Sequence, residues 1–277
     1  MRECVEVDYK NRELVLTQHH CYESRGHSIC SLIRSAFETL SNDELNRMSS
    51  FTEFFHIGDR GNGSYCFSDS VYSDKLIPCF LFDSWIEVGI PDYEKTRMVM
   101  LDRSSVPPVI NKLFWIGNTA THPTRVQFIQ MCQSHPIIDV FDCGNWQGCD
   151  GHRKMPDRAY LSIEDHSQFK YLIDLQGNGW SARTKLLLHS GRPLFYQERK
   201  WNEYWFFDME PFVHYIPVKE DLSDLFDRIE WAETHPEECW NISKNAVEFS
   251  RNNLGRINAI ERFKKILLKL GEKNEQL

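Results

Sequence analysis

The hydrophobic pattern of residues 171–191 predicts a strand, a glycine loop and a helix in direct succession. Residues 171–175 are short and mostly apolar, as in a buried strand. Residues 176–179 follow with two glycines, whose backbone takes angles that other residues resist. From residue 181 to 189 apolar positions return at helical spacing, and Gly191 is a typical stop. This order places a helix start beside a strand end, an arrangement that binds anions such as phosphate.

A second unit of the same kind lies earlier in the chain. Residues 112–116 predict a strand, residues 117–123 a loop, residues 124–133 a helix and residues 136–141 the next strand. Two such units in succession favour a doubly wound parallel sheet. The chain is therefore predicted to be an α/β protein.

The first half gives a weaker pattern. Residues 14–16, 54–57 and 77–82 each predict a strand, and residues 27–40 predict a helix with one apolar face. Together they are interpreted as a small βαβ-type layer.

The chain is predicted to divide at a proline-containing hinge, residues 103–108, because proline forbids regular pairing. Residues 221–224 predict a helix start, and residues 246–270 predict a packed amphipathic pair of helices. The sequence predicts an N-terminal lobe, a second lobe that carries both strand–loop–helix units, and a terminal helix that packs back on the body: residues 1–105, 106–245 and 246–277.

Composition narrows the class of partner. The 277 residues carry a net charge of −8 and contain no basic tract, which argues against nucleic acid. No stretch has the apolar length of a membrane span, and no signal-peptide pattern begins the chain, so the predicted location is cytoplasmic. The nine cysteines have no repeated spacing and are expected to be reduced. Cys143, Cys149 and His152 match no usual zinc spacing, so no metal is expected there.

Two arginines stand at the predicted helix starts, Arg125 and Arg183. A cation at that end does not favour the helix dipole. A planar guanidinium there is better explained by a bound diphosphate, which its fork can grip.

The motif residues Tyr171, Leu172, Gly177, Ser181, Arg183 and Lys185, followed by residues 212–218 (FVHYIPV), resemble the C-terminal signature of glycosyltransferase family 90. This family holds protein O-glucosyltransferases and capsule-associated xylosyltransferases, and the resemblance runs from about Phe114 onward. It implies a GT-B type fold, with two Rossmann-like lobes and the active site in the cleft between them. Residues 1–105 would then form the acceptor-side lobe and residues 106–245 the nucleotide-sugar-binding lobe. It also implies a UDP-sugar donor, with the arginine of the Gly117–Arg125 loop on the nucleotide phosphates.

The resemblance further implies that Asp59, at the end of a strand in the first half, is the catalytic base. Asp69, Asp74 and Asp83 are the other candidates. The chain contains no Asp-x-Asp motif, so the expected mechanism uses no metal. The predicted UDP-sugar-binding residues are Gly117, Asn118, Thr119, Arg125, Asn178, Gly179, Trp180, Ser181, Ala182 and Arg183.

Direct attack by an acceptor hydroxyl, with one base and no covalent intermediate, inverts the anomeric centre and gives a β-linkage. Trp180 stands where relatives usually carry a small residue, and its bulk would fill the space of the hydroxymethyl group that glucose has and xylose lacks. UDP-xylose is thus favoured over UDP-glucose, with a glycan as acceptor. A non-catalytic glycan- or nucleotide-binding protein that retains the fold is the alternative. A Rossmann-type oxidoreductase is disfavoured because no Gly-x-Gly-x-x-Gly follows a strand.

Overall fold

A computed structural model describes residues 3–21, 23–61, 63–132, 134–143 and 161–272. Its strands form two sheets. They are β1 (Cys4–Lys10), β2 (Glu13–His19), β3 (Phe51–His56), β4 (Ile110–Gly117), β5 (Ile138–Asp142), β6 (Phe169–Asp174), β7 (Leu194–Gln197) and β8 (Ile216–Val218). The α-helices are α1 (Glu23–Glu38), α2 (Asn42–Arg47), α3 (Tyr93–Arg103), α4 (Pro123–Cys132), α5 (Thr184–Leu187), α6 (Leu225–Thr234), α7 (Pro236–Asn253) and α8 (Arg256–Glu272).

The first sheet is antiparallel, in the order β2-β1-β3. A two-residue turn joins β1 to β2, and both of its residues, Asn11 and Arg12, have positive φ (53° and 66°). Positive φ at both central residues is typical of a type I′ turn, whose twist matches that of the two strands of a hairpin. The predicted βαβ-type layer is therefore wrong, because the strand that organises this half pairs with both neighbours in the antiparallel sense. Residues 77–82 are also not a strand; their described structure includes a short 3-10 turn, Phe80–Phe82.

The second sheet is parallel throughout, in the order β5-β4-β6-β7-β8, which confirms the predicted parallel sheet. The chain passes from β4 to β5 on one side and then returns to place β6 on the other side of β4. The order therefore reverses between β4 and β6. Ligands of open α/β sheets bind at the carboxyl ends of the strands at such a reversal.

Both faces of the parallel sheet are covered. One face, with Phe114 and Leu172, joins a core that reaches through α1 and α8 to the first sheet, where Phe55 stacks on Phe263 at 6.0 Å between ring centroids. The other face, with Trp115 and its neighbours, packs on α4, α6 and α7. The packing of α8 on α1 ties the chain end to the first half. None of the helices in the described ranges is long and apolar enough to cross a bilayer.

The predicted helix over residues 181–189 is wrong in extent. Only one turn, α5, is α-helical, and a 3-10 turn, Leu188–Ser190, follows it. The hydroxyls of Ser181 and Thr184 donate to the carboxylate of Asp174 instead of lying free on a helix surface. Serine and threonine side chains that bond locally in this way compete with helix formation. By contrast, the predicted helix over residues 124–133 is confirmed as α4.

Candidate active site

Arg125 ties together the ends of the two strands at which the sheet order reverses. Its Nε donates to the carbonyl of Gln176 (2.7 Å), its Nη1 to that of Asn118 (3.0 Å) and its Nη2 to that of Leu175 (3.0 Å). The side chain is buried. Burial, reinforced by the positive charge of Arg183, lowers the pKa of Arg125 to about 9. A bound anion would oppose both effects, because a nearby negative charge stabilises the charged form of the guanidinium.

Asp174 binds two further arginines at the carboxyl end of β6. It is the last residue of β6 and is completely buried. Besides two hydroxyls, its carboxylate accepts hydrogen bonds from Arg183 Nε (2.9 Å) and Arg199 Nη1 (3.0 Å). Burial alone would raise the pKa of Asp174, but Arg199 and Arg183 outweigh it and hold that pKa below its usual value. Sequence reasoning missed this residue, although a single acid in an otherwise apolar strand is a usable signal.

Arg183 is positioned by these contacts and keeps a donor to spare. Its Nη1 donates to the carbonyl of Ile116, and its Nε to Asp174. Its Nη2 is buried and has no hydrogen-bond partner among residues 3–21, 23–61, 63–132, 134–143 and 161–272. A buried donor without a partner costs about 1–3 kcal/mol, so a ligand oxygen that satisfied it would gain binding energy.

Trp115 is the surface on which both guanidinium groups lie, each 5.6 Å from its ring centroid. The ring also explains Gly117, because a Cβ at that position would lie 2.5 Å from it. Gly117 therefore leaves room for the tryptophan, which in turn supports Arg125 and Arg183.

The predicted side chains of Asn118 and Thr119 shape the loop after β4. Asn118 Oδ1 accepts from the N–H of Ala120 at 2.9 Å. The Thr119 hydroxyl donates to Asp142 at 2.6 Å. Both contacts fix the backbone that leads into α4, whose first turn carries Arg125.

Asp59 directly contacts the glycine loop of residues 176–179. Its Oδ1 accepts from Arg25 Nη1 at 2.9 Å, and its Oδ2 accepts from Asn178 Nδ2 at 3.3 Å. Arg60 Nε donates to the Asn178 carbonyl at 2.6 Å. A Cβ on Gly179 would lie 1.8 Å from the carbonyl oxygen of Asp59, so the approach of the two loops requires glycine there. The structure thus brings together residues from the two halves of the chain that the sequence only suggested were neighbours.

Trp180 and Ala182 point into the core. Trp180 is 7% exposed, and its ring lies 5.8 Å from that of Phe67 and 6.2 Å from that of Phe80. Beside it the Lys185 ammonium is fully buried and donates to Glu203 (2.6 Å). This aromatic and ionic cluster joins the halves of the chain beneath the site.

The other aspartate candidates lie in different settings. Asp74 pairs with Lys269 at 2.7 Å on the exposed surface, and Asp83 pairs with Arg256 at 3.0 Å. Asp69 caps its own loop by accepting from the N–H of Ser70. Asp59 is the candidate whose carboxylate contacts the loop that leads to Arg183.

The described residues contain no group of three or more His, Cys, Asp or Glu side chains placed to hold a metal. Of the three ligands considered from the sequence, Cys143 is described, whereas Cys149 and His152 lie outside the described residues.

The comparison with known proteins matches the part of the chain that carries the parallel sheet. Residues 63–270 match the sequence profile of Glycosyl transferase family 90. The chain belongs to this family. All ten predicted UDP-sugar-binding residues lie within the matched range, whereas Asp59 lies just before it.

The chain is similar to proteins from animals and from a virus. Over 185 residues the chain is 28% identical to protein O-glucosyltransferase 2 of Danio rerio, covering 61% of this chain and 37% of the relative. It is 27% identical over 147 residues to protein O-glucosyltransferase 1 of Homo sapiens, covering 52% and 38%. It is 33% identical over 170 residues to the uncharacterized protein 035R of Invertebrate iridescent virus 3, covering 56% and 15%. The chain thus spans less than two fifths of each of these relatives.

Among solved structures, a glycosyltransferase from Rickettsia africae ESF-5 aligns with a TM-score of 0.40 at 12% identity, over 64% of this chain and 45% of that one.

Proposed function

We propose that this family 90 chain transfers a sugar from a UDP-sugar to a hydroxyl of a glycan acceptor, with inversion and without a metal ion. Membership of the family supports the class of reaction. The names of the O-glucosyltransferase relatives support a sugar donor, although the chain spans only part of each of them.

The observation that carries the proposal is the meeting of Asp59 with the loop that leads to Arg183. The Asp59 carboxylate touches Asn178, and Arg183, five residues further on, holds a buried N–H without a partner in the described ranges. The segment 178–183 therefore has a carboxylate at one end and a buried, unsatisfied donor at the other. This supports the proposal, because group transfer from a diphosphate requires a base and a donor that binds the leaving anion.

In the proposed reaction the acceptor oxygen attacks the anomeric carbon while its proton passes to the Asp59 carboxylate. The bond between the anomeric carbon and the diphosphate oxygen breaks, and its electron pair leaves with UDP. Arg125 and Arg183 would hold the growing negative charge, the role that a metal ion plays in other enzymes. An inverted, β-linked product follows from this single displacement.

The donor sugar is proposed to be xylose first and glucose second. This preference follows from the bulk of Trp180, whose ring packs against Phe67 and Phe80. Trp180→Ala and Trp180→Phe should each raise the rate with UDP-glucose relative to UDP-xylose. Replacing a buried ring can lower both rates by destabilising the fold. The ratio of the rates with the two donors is therefore compared, because a loss of stability affects both rates alike. An unchanged ratio would refute the preference.

Release of UDP from UDP-xylose and UDP-glucose, with and without EDTA, tests the proposal. Water and nitrophenyl glycosides serve as acceptors. Asp59→Asn should abolish turnover and leave UDP binding intact, whereas Asp74→Asn, at an exposed ion pair, should retain turnover. Turnover that EDTA removes would overturn the metal-free mechanism. UDP binding without turnover of any donor would favour the alternative, a non-catalytic nucleotide- or glycan-binding protein.

Two broader expectations belong to the same proposal. The GT-B arrangement would place the donor at the carboxyl edge of the parallel sheet and the acceptor on the side of Asp59. The cytoplasmic location stays a prediction from the sequence.

A further inference from the structure

Arg25 occupies a position that helix stability does not explain. It lies in the first turn of α1, where the helix dipole disfavours a positive charge. Its environment must therefore supply the compensation.

Asp59 contributes to that compensation. Arg25 Nη1 lies 2.9 Å from Asp59 Oδ1, and the arginine side chain is 18% exposed, against 35% for the aspartate. The guanidinium also lies over the ring of Phe80, 4.7 Å from its centroid. Phe80 is buried in the core, so its ring supports one face of the guanidinium while Nη1 contacts the carboxylate.

We propose that Arg25 is a positioning residue that orients the Asp59 carboxylate for proton transfer. This inference rests on the proposed function. Arg25 holds one carboxylate oxygen and Asn178 holds the other, so the carboxylate plane is fixed from both halves of the chain. An ionised carboxylate offers about four lone-pair sites, so these two bonds leave acceptor capacity for an incoming hydroxyl.

The test compares turnover with binding in three variants. Arg25→Met removes the guanidinium and keeps an apolar stem, and Arg25→Lys keeps the charge without the planar fork. Arg34→Met removes an exposed arginine from the same helix as the matched control. The measurements are kcat and donor KM for UDP release from UDP-xylose and UDP-glucose, the Kd for UDP, and the Tm.

Arg25→Met should lower kcat at least about tenfold, while donor KM and the Kd for UDP change less than about twofold, because only the base is misplaced. Arg25→Lys should recover part of the loss, and Arg34→Met should match the parent. If Arg25→Met does not fold, Arg25→Gln carries the same expectation.

The inference is overturned if the neutral variant keeps the parent kcat, or if kcat, UDP affinity and Tm fall together, which is the behaviour of a merely structural contact. It is also overturned if Arg34→Met lowers kcat as much. Failure of the proposed function gives a different result, since Asp59→Asn would then turn over as fast as the parent.

Discussion

The substitution Gly179→Ala, which adds a single methyl group, tests the contact between the two halves of the chain directly. The Cβ of Gly179→Ala would lie 1.8 Å from the carbonyl oxygen of Asp59 and 2.8 Å from the carbonyl carbon. Gly58→Ala, one residue before Asp59, is the matched control, because its Cβ would meet no atom within 4 Å. Both changes reduce the freedom of the unfolded chain equally, so that effect cancels in the comparison.

The size of the effect follows from the displacement. To reach even a tight contact of 3.0 Å the Asp59 carbonyl must move by 1.2 Å. A shift of that size would break the hydrogen bond between Asn178 and the Asp59 carboxylate, which is already 3.3 Å long. Misplacement of a reacting group by about 1 Å can cost about a hundredfold in rate. Overpacking a tight site costs about 1–3 kcal/mol of stability.

UDP release from the better donor and urea unfolding measure the two consequences separately. Gly179→Ala should lose about a hundredfold in kcat and about 1–3 kcal/mol of unfolding free energy, whereas Gly58→Ala should stay close to the parent in both. Parent-like turnover by Gly179→Ala would contradict this expectation, because the two loops could then separate without consequence for the reaction. Equal losses in both variants would point to general sensitivity of glycines in this region.

Three further outcomes are expected. Lys185→Met, which strands a buried carboxylate partner, should cost about 3–5 kcal/mol by urea unfolding. Lys170→Met, at a more exposed pair, should cost no more than about 1 kcal/mol, and equal losses would contradict the argument. Burial lowers the pKa of His166 and of His189 to about 3, so both stay neutral in the fold while the unfolded chain takes up protons near pH 6.5. The unfolding free energy should therefore fall on acidification below that pH, by up to about 1.4 kcal/mol per pH unit for each histidine, and a flat profile would contradict this. Arg183→Lys should weaken UDP binding at least about tenfold by calorimetry, because an ammonium cannot reproduce the planar fork, and parent affinity would count against the diphosphate site.

The parallel sheet could be predicted because its information is local. In the units at residues 112–141 and 171–191, an apolar run and the loop after it predict each strand. In the first half, by contrast, the architecture depends on which strands pair with each other. β1 alternates inward Val5, Val7 and Tyr9 with polar residues, and its partners lie on both sides of it. That strand was missed, so the sense of the pairing could not be inferred.

The sequence supplied candidate residues for the site but few of the contacts between them. Asp59, Arg125 and Arg183 were identified from loops and from resemblance, and the structure places Asp59 against the loop leading to Arg183. What the sequence could not supply was the set of buried partners. Arg25 reaches Asp59, 34 residues away along the chain, and Asp174 pairs with Arg183, nine residues further on across the glycine loop. No periodic pattern of apolar and polar residues encodes either contact.

The buried charges at the carboxyl edge of the parallel sheet explain why this site would favour an anionic ligand. Arg125, Arg183 and Arg199 are all largely buried there, and each bears electrostatically on the others through Asp174 or directly. Within this group three positive charges face one carboxylate. Burying unbalanced charge is costly, since the interior cannot replace the water that solvated it. The carboxylate fixes the geometry of two of the arginines but leaves the group with positive charge in excess. A diphosphate would supply the missing negative charge and also an acceptor for the unpaired Nη2 of Arg183. The same imbalance that costs folding energy in the free protein would therefore contribute to holding the donor and, once the sugar bond breaks, to holding the departing UDP.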